Sequence, residues 1–199
     1  LVIYLLSLTL MVWIRIPLPA TEERAIGGRA LSQIAAQPAF LVAALGAAAA
    51  YGVMNLIMTT TPLAMASSGH SFGDTAIVFQ WHMLGMFAPS FFTGHLIRRT
   101  GTARVMATGA LLLGLCVVVN LHGQTVLHYW LALFLLGLGW NFLFIGGTTL
   151  VTEAYLPTEK AKAQGLNDLL VFGTVALTAL SSGMLHQWLG WTALNYAVL

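Results

Sequence analysis

Apolar residues fill this chain in long blocks, and short polar stretches separate them. Residues 1–14 are apolar but fall short of the roughly 20 residues that cross a bilayer as a helix. They read as the tail of a helix whose start lies upstream. Residues 15–37 are polar, with Pro17, Pro19, Glu22, Glu23, Arg24, Gly27, Gly28 and Arg29. They form a connector, with room for a short amphipathic helix over residues 21–33. Five spans follow, over about 38–66, 75–97, 105–121, 129–151 and 166–185, and residues 191–199 open a sixth. The pattern predicts an all-α, polytopic membrane protein. Because the chain begins and ends inside apolar runs, it is expected to be a piece of a longer protein.

Local signals support these boundaries. Pro38 suits a helix start, where its missing N–H costs nothing. Pro62 and Pro89 are expected to kink the first and second spans. Residues 67–74 and 122–125 read as short turns. His128, Tyr129 and Trp130 suit an interfacial aromatic belt. Gly137, Gly139, Gly146 and Gly147 in the fourth span, and Gly94 in the second, are small enough to let neighbouring helices approach closely.

Charge placement orients the spans. If they alternate strictly, the loops at 15–37, 98–104 and 153–165 share one side. All eight Lys and Arg residues fall there: Arg15, Arg24, Arg29, Arg98, Arg99, Arg104, Lys160 and Lys162. The other side carries His70, Asp74, His122 and His186. That asymmetry makes the basic side cytoplasmic, and so predicts a multi-pass protein of the inner or plasma membrane.

Composition narrows the class further. The chain is 58% hydrophobic and 7% charged, with a mean hydropathy of +0.85. An average soluble domain carries about 25% charged residues, so this chain is too poor in charge to clothe a soluble surface. The lipid bilayer is its expected partner, and nucleic acid is not. Cys116 is the only cysteine, in an apolar run, and leaves no disulfide framework. The six histidines are scattered, so neither a metal site nor a cofactor is expected. No nucleophile elbow, phosphate-binding Gly-Lys-Ser/Thr loop or His-Glu-x-x-His pair occurs. Ser68, His70 and Ser71 sit together but read as a polar turn. The chain is not expected to be an enzyme.

Two of the cytoplasmic features carry a family resemblance. Gly94-x-Leu96-x-x-Arg99-x-Gly101 resembles the loop signature of the major facilitator superfamily, Gly-x-Leu-x-Asp-Arg-x-Gly followed by basic residues. Arg98 stands where the family has Asp. Thr102 and Ala103 replace the usual basic pair, and Arg104 comes one position late. With a helix tail, a cytoplasmic linker and five spans, the chain looks like helix 6 to the start of helix 12 of a bacterial member of unassigned substrate. The resemblance implies the second of two six-helix bundles, with a substrate site near the midplane between them. The missing N-terminal half of the same protein is then the main partner. In the family an acid at the end of span four often pairs with the loop-motif arginine. That implies an Arg99–Glu153 ion pair, against the alternative of two solvated charges. Asp168 stands one turn inside span five, placed to meet a basic residue of the missing half.

The resemblance also places spans one and four along the central cavity. Tyr51, Asn55 and Thr59 recur at i, i+4 and i+8 and share one face of span one. Asn141 and Thr148 share a face of span four, with Trp140 and Phe144 beside it. These are candidates for the substrate path, and the alternative for each polar one is hydrogen bonding between helices. Asn167, Thr174, Thr178 and Ser181 form a weaker polar stripe on span five. His82 lies deepest of the ionisable residues, roughly 12 Å from Asp74 at about 1.5 Å per residue. It either carries a coupling proton or binds an anion, or it is a neutral imidazole bonded to a neighbouring helix. The leading expectation is a secondary transporter of a small-molecule substrate working by alternating access, with proton coupling as an option. The alternative is a receptor or scaffold that keeps the fold without transport.

Overall fold

The computed structural model describes residues 2–13 and 28–199, and the described residues hold helices and no strands. Helix α1 is Val2–Trp13 and the short α2 is Leu31–Ala35. Residues 14–27, which hold most of the expected connector and the start of its amphipathic segment, lie outside the described residues. The bundle comprises α3 (Pro38–Ser67), α4 (Phe72–Phe87), α5 (Ser90–Thr100), α6 (Thr102–His122), α7 (Val126–Glu153) and α8 (Lys160–Ala197). Four of these stretches, α3, α6, α7 and Pro157–Ala197, are long and apolar enough to cross a membrane. The chain is an all-α, polytopic membrane protein.

The helix ends follow from specific residues. Pro38 occupies the first turn of α3, and the helix continues through Pro62 to Ser67. Helix α4 begins at Phe72, three residues before the sequence pattern places it, because Ser71 and Asp74 form a capping box. The Asp74 N–H donates to Ser71 Oγ at 3.2 Å and the Ser71 N–H donates to Asp74 Oδ2 at 3.0 Å. The second span is two helices rather than one, broken at Ala88 and Pro89. The turn from α5 to α6 is a single residue, Gly101, at φ 93°, a conformation that glycine adopts without steric cost. Gly190, at φ 75°, breaks α8 and turns its last residues back onto the bundle. There Trp191 packs on Tyr129 at 5.5 Å, and Asn195 accepts a hydrogen bond from Asn120 of α6 at 2.9 Å.

Helix α7 is the centre of the bundle. Its Tyr129, Leu133, Leu136, Trp140 and Leu143 form the core with Met54 and Ile57 of α3, Val78 and Met86 of α4, and Cys116 and Val117 of α6. Its glycines bring it into backbone contact on three sides. A Cβ at Gly137 would lie 2.5 Å from His82 O of α4, one at Gly139 would lie 2.9 Å from Gly109 O of α6, and one at Gly147 would lie 2.9 Å from Ala43 O of α3. In lipid, where apolar burial drives little association, such close approach is what joins helices. Gly94 does not serve this purpose here: a Cβ there would meet nothing within 4 Å. The tight contacts lie on α7 because α7 has neighbours on three sides.

Candidate functional site

The strongest chemical feature among the described residues is an aromatic corner where α3, α7 and α8 meet. Trp140 and Phe144 lie one turn apart on α7 and stack at 5.0 Å with planes 13° apart. Tyr51 of α3 meets both edge-on, at 5.2 Å from Trp140 and 5.0 Å from Phe144. Phe172 of α8 closes the corner at 6.1 Å from Tyr51 and is exposed. Tyr51 and Phe144 are half-buried, whereas Trp140 is buried and its indole N–H has no partner. Each such ring pair contributes about 0.5–1.5 kcal/mol beyond area burial. Half-exposed rings in edge and stacked geometry form a wall on which a flat apolar ring can lie.

The polar candidates do not converge on this wall. Asn55 turns to α8 and donates from Nδ2 to Thr178 Oγ1 at 3.0 Å and to Val175 O at 3.3 Å. Thr59 is exposed and bonds its own helix at Asn55 O, 2.6 Å. Thr148 likewise bonds back to Phe144 O and Ile145 O, both at 3.0 Å. Such back-bonding occupies the donor proton of each hydroxyl and leaves its oxygen as an acceptor.

Asn141 is fully buried on another side of α7. It donates to Met86 O and Ser90 Oγ, both at 2.7 Å, and accepts from Thr93 Oγ1 at 2.7 Å. Adjacent helix positions lie about 100° apart, so Trp140 and Asn141 address different neighbours. Its three hydrogen bonds all run to the second span, the arrangement of the interhelical alternative.

His82 is also fully buried, between α4 and α7. Its Nδ1 donates to Leu133 O at 2.8 Å, and Nε2 has no partner. A buried imidazole bonded to a neighbouring helix is the geometry that the packing alternative requires. Replacing His82 with Gln in the full-length protein is therefore expected to leave the pH dependence of uptake unchanged. A flattened or displaced pH profile in that mutant would return His82 to a proton-handling role.

Comparison with known proteins adds a lineage to this geometry. The sequence model of the Major Facilitator Superfamily matches residues 43–199. The chain belongs to this superfamily. It is 42% identical, over 99% of its length, to a protein of Brucella anthropi named riboflavin transporter RfnT, and covers 50% of that relative. Two uncharacterized MFS-type transporters of Bacillus subtilis are also similar. YdeG is 37% identical over 72% of the chain and YddS is 34% identical over 85%, with 34% and 39% of those relatives covered. The chain thus spans half or less of the length of these curated relatives. No solved structure matches.

The loop-motif residues of this superfamily member lie on α5 and the turn after it. Leu96 is half-buried, and its carbonyl accepts from Thr100 Oγ1 at 2.9 Å. Gly101 makes the turn, while Arg98 and Arg99 are exposed at the end of α5. Arg99 and Glu153 do not form an ion pair here; both are exposed, as the solvated alternative has it. Asp168 is exposed on α8 and accepts from Asn167 Nδ2 at 3.2 Å.

A different pair holds the arginine-bearing end. Glu159, in the loop between α7 and α8, is fully buried and pairs with Arg29 at 2.6 Å. Its carboxylate accepts from the Arg29 backbone N–H at 2.6 Å, Arg29 Nε at 3.0 Å and the Leu156 N–H at 2.9 Å. Arg29 also donates to Ala154 O at 3.1 Å, where Gln37 donates as well. The Arg29 guanidinium and these backbone donors hold the Glu159 carboxyl down to about 2. Gly28, at φ 90°, packs so closely that a Cβ would lie 2.5 Å from Glu159 Cγ. Sequence reading singled out neither Arg29 nor Glu159 for this. The available signal was a glycine followed by an arginine at the end of the connector.

Proposed function

We propose that this chain is the C-terminal half of a secondary transporter that moves a small planar aromatic solute of the flavin class by alternating access. The observation that carries the reading is the aromatic corner of Tyr51, Trp140, Phe144 and Phe172. A tricyclic flavin ring is flat, largely apolar and stacks well on such a wall. Similarity along 99% of the chain to a protein named as a riboflavin transporter supports the same substrate class. In this reading residues 1–14 end the last helix of the first half and residues 15–37 link the halves. The loops at 98–104 and 153–165 then face the cytoplasm across the cell membrane. The missing half supplies the opposite wall of the cavity, so the chain alone transports nothing. Coupling to protons belongs to the proposal as well. It predicts that uptake falls when a protonophore collapses the proton gradient.

The test is uptake of labelled riboflavin by a riboflavin-requiring bacterium that expresses the full-length protein. Uptake above the empty-vector control is expected. Aromatic stacking on a planar base is worth about 1–3 kcal/mol, and 1.4 kcal/mol is a factor of ten. Phe144→Ala is therefore expected to raise KM by about tenfold. Uptake equal to the vector control would remove the flavin class. Uptake with KM unchanged in Phe144→Ala and Tyr51→Ala would keep the substrate and remove the corner as its site.

A further inference from the structure

The second membrane span is divided at Pro89, and its two parts are held differently. Proline lacks the N–H that would close on Gly85 O, and its ring crowds that carbonyl, so the helix opens here. On one side of the break, α4 is joined to α7 turn by turn. His82 Nδ1 donates to Leu133 O, and Gly85 and Gly137 bring the two backbones together. On the other side, α5 runs on to the loop motif and its exposed cations, Arg98 and Arg99. Asn141 of α7 stands at the break, four residues below Gly137. One of its amide hydrogens goes to Met86 O on the α4 side. The other goes to Ser90 Oγ on the α5 side, and its Oδ1 accepts from Thr93 Oγ1, also on α5. Thr93 shares its single hydroxyl proton with Pro89 O at 2.8 Å. Asn141, Met86, Pro89 and Thr93 are buried while Ser90 is exposed; for the buried members an unmade hydrogen bond is costly, and a complete set of bonds fixes one geometry.

We infer that Asn141 is a positioning residue: it pins the kink at Pro89 by binding both sides of the break at once, and so sets the direction in which α5 carries the loop motif. Neither side chain accomplishes this alone. Pro89 opens the helix but leaves its bend undirected. Asn141 in front of an unbroken helix would find the Met86 carbonyl already engaged. The inference does not depend on which solute is carried.

The test is a distance measurement in the full-length transporter in lipid nanodiscs. Spin labels are placed through Ile77→Cys on α4 and His95→Cys on α5, both exposed positions. A change of about 20° in the kink, acting over the roughly 9 Å from the hinge to residue 95 at about 1.5 Å per residue, moves the label by about 3 Å. Asn141→Leu, close in volume but without donors, is expected to shift or broaden the distance distribution by about that amount. Pro89→Ala restores the helical N–H and is expected to shift it too. Adding Asn141→Leu to Pro89→Ala is then expected to change it by less than about 1 Å, because the restored 89 N–H to Gly85 O bond straightens the helix and lets the Ser90 N–H close on Met86 O, the carbonyl that Asn141 served. A parental distribution in Asn141→Leu overturns the inference, and so does an equal shift with and without Pro89. If Asn141→Leu does not yield folded protein, Ser90→Ala with Thr93→Val removes only the α5-side partners. A smaller shift in the same direction supports the pin, and an unchanged distribution refutes it.

Discussion

Gly109→Ala and Gly139→Ala are each expected to destabilise the full-length protein by about 2 kcal/mol, the usual cost of adding a methyl group where a core has no room. At Gly109 the new Cβ would lie 2.6 Å from Leu143 N and 2.8 Å from Gly139 O; at Gly139 it would lie 2.9 Å from Gly109 O and 3.0 Å from Leu113 N. These neighbours are backbone atoms, which cannot rotate aside, so α6 and α7 must separate. Separation loosens the core around Cys116, Val117 and Leu136. Because the two glycines face each other, the double mutant is expected to cost less than the sum. Once one methyl has parted the helices, the second finds space. Gly114→Ala, on the same helix but in open space, is expected to be neutral. Thermal unfolding in detergent measures all four. A Gly109→Ala protein that melts with the parent would mean that the helices do not pack at this distance.

Loss of the Glu159 carboxylate is expected to release the connector from the arginine-bearing end of the bundle. Arg29 gives this carboxylate its backbone N–H, Nε and Nη2, and Leu156 adds its own N–H. Glu159→Ala leaves those donors without their acceptor. Tryptic cleavage after Arg29, followed by mass spectrometry of the folded full-length protein, should then rise by about tenfold or more, since cleavage tracks the population of the opened segment. Gly28→Ala should act the same way, through the clash with Glu159 Cγ and the strain of a positive φ. Exchanging the charges, Arg29→Glu with Glu159→Arg, should not restore protection. Two of the donors are backbone groups that need an anion at position 159. The pH dependence has a definite sign. A carboxyl held at about 2, below its ordinary 4.5, contributes fully above that ordinary value. The contribution fades as the pH falls from there through 2. Protection after Arg29 is therefore expected to be flat from pH 6 to 8. A loss of protection on going from pH 8 to pH 6 would show that another group governs the clasp.

The two features differ in how far they can be read from sequence. Gly137, Gly139, Gly146 and Gly147 announce themselves as small residues within one apolar span, and the structure uses all four at close contacts. The Arg29–Glu159 pair could not be read, because its members stand 130 positions apart and each has other charges nearby in sequence. The family pattern drew attention to Arg99 and Glu153 instead, and both stand in the open.

The candidate site shows the same division. Tyr51 and Trp140 are legible as large aromatics on the two spans that the family resemblance places along a cavity. Phe172 is not, since an exposed phenylalanine on a membrane helix looks like any lipid-facing residue. Asn141 and Thr148, seven residues apart, share a helix face by spacing. Yet Asn141 belongs to the hinge of the second span, while Thr148 bonds its own backbone.

The sequence by itself determined the class of protein and its long apolar helices, and it carries the expectation that the cations gather on one side. These follow from the length of apolar runs and the placement of Lys and Arg, which are one-dimensional properties imposed by the bilayer. Proline and glycine also marked in sequence where helices break, at Pro89, Gly101 and Gly190. Only the tertiary structure decided which side of each helix meets which neighbour. Helix α7 is apolar on every side and packed on three of them, so no hydrophobic stripe sets its rotation. That rotation turns Trp140 to the aromatic corner and Asn141 to the Pro89 break. It is set by backbone contacts at glycines and by hydrogen bonds to partners about 50 residues away in sequence, such as Leu133 with His82 and Asn141 with Ser90.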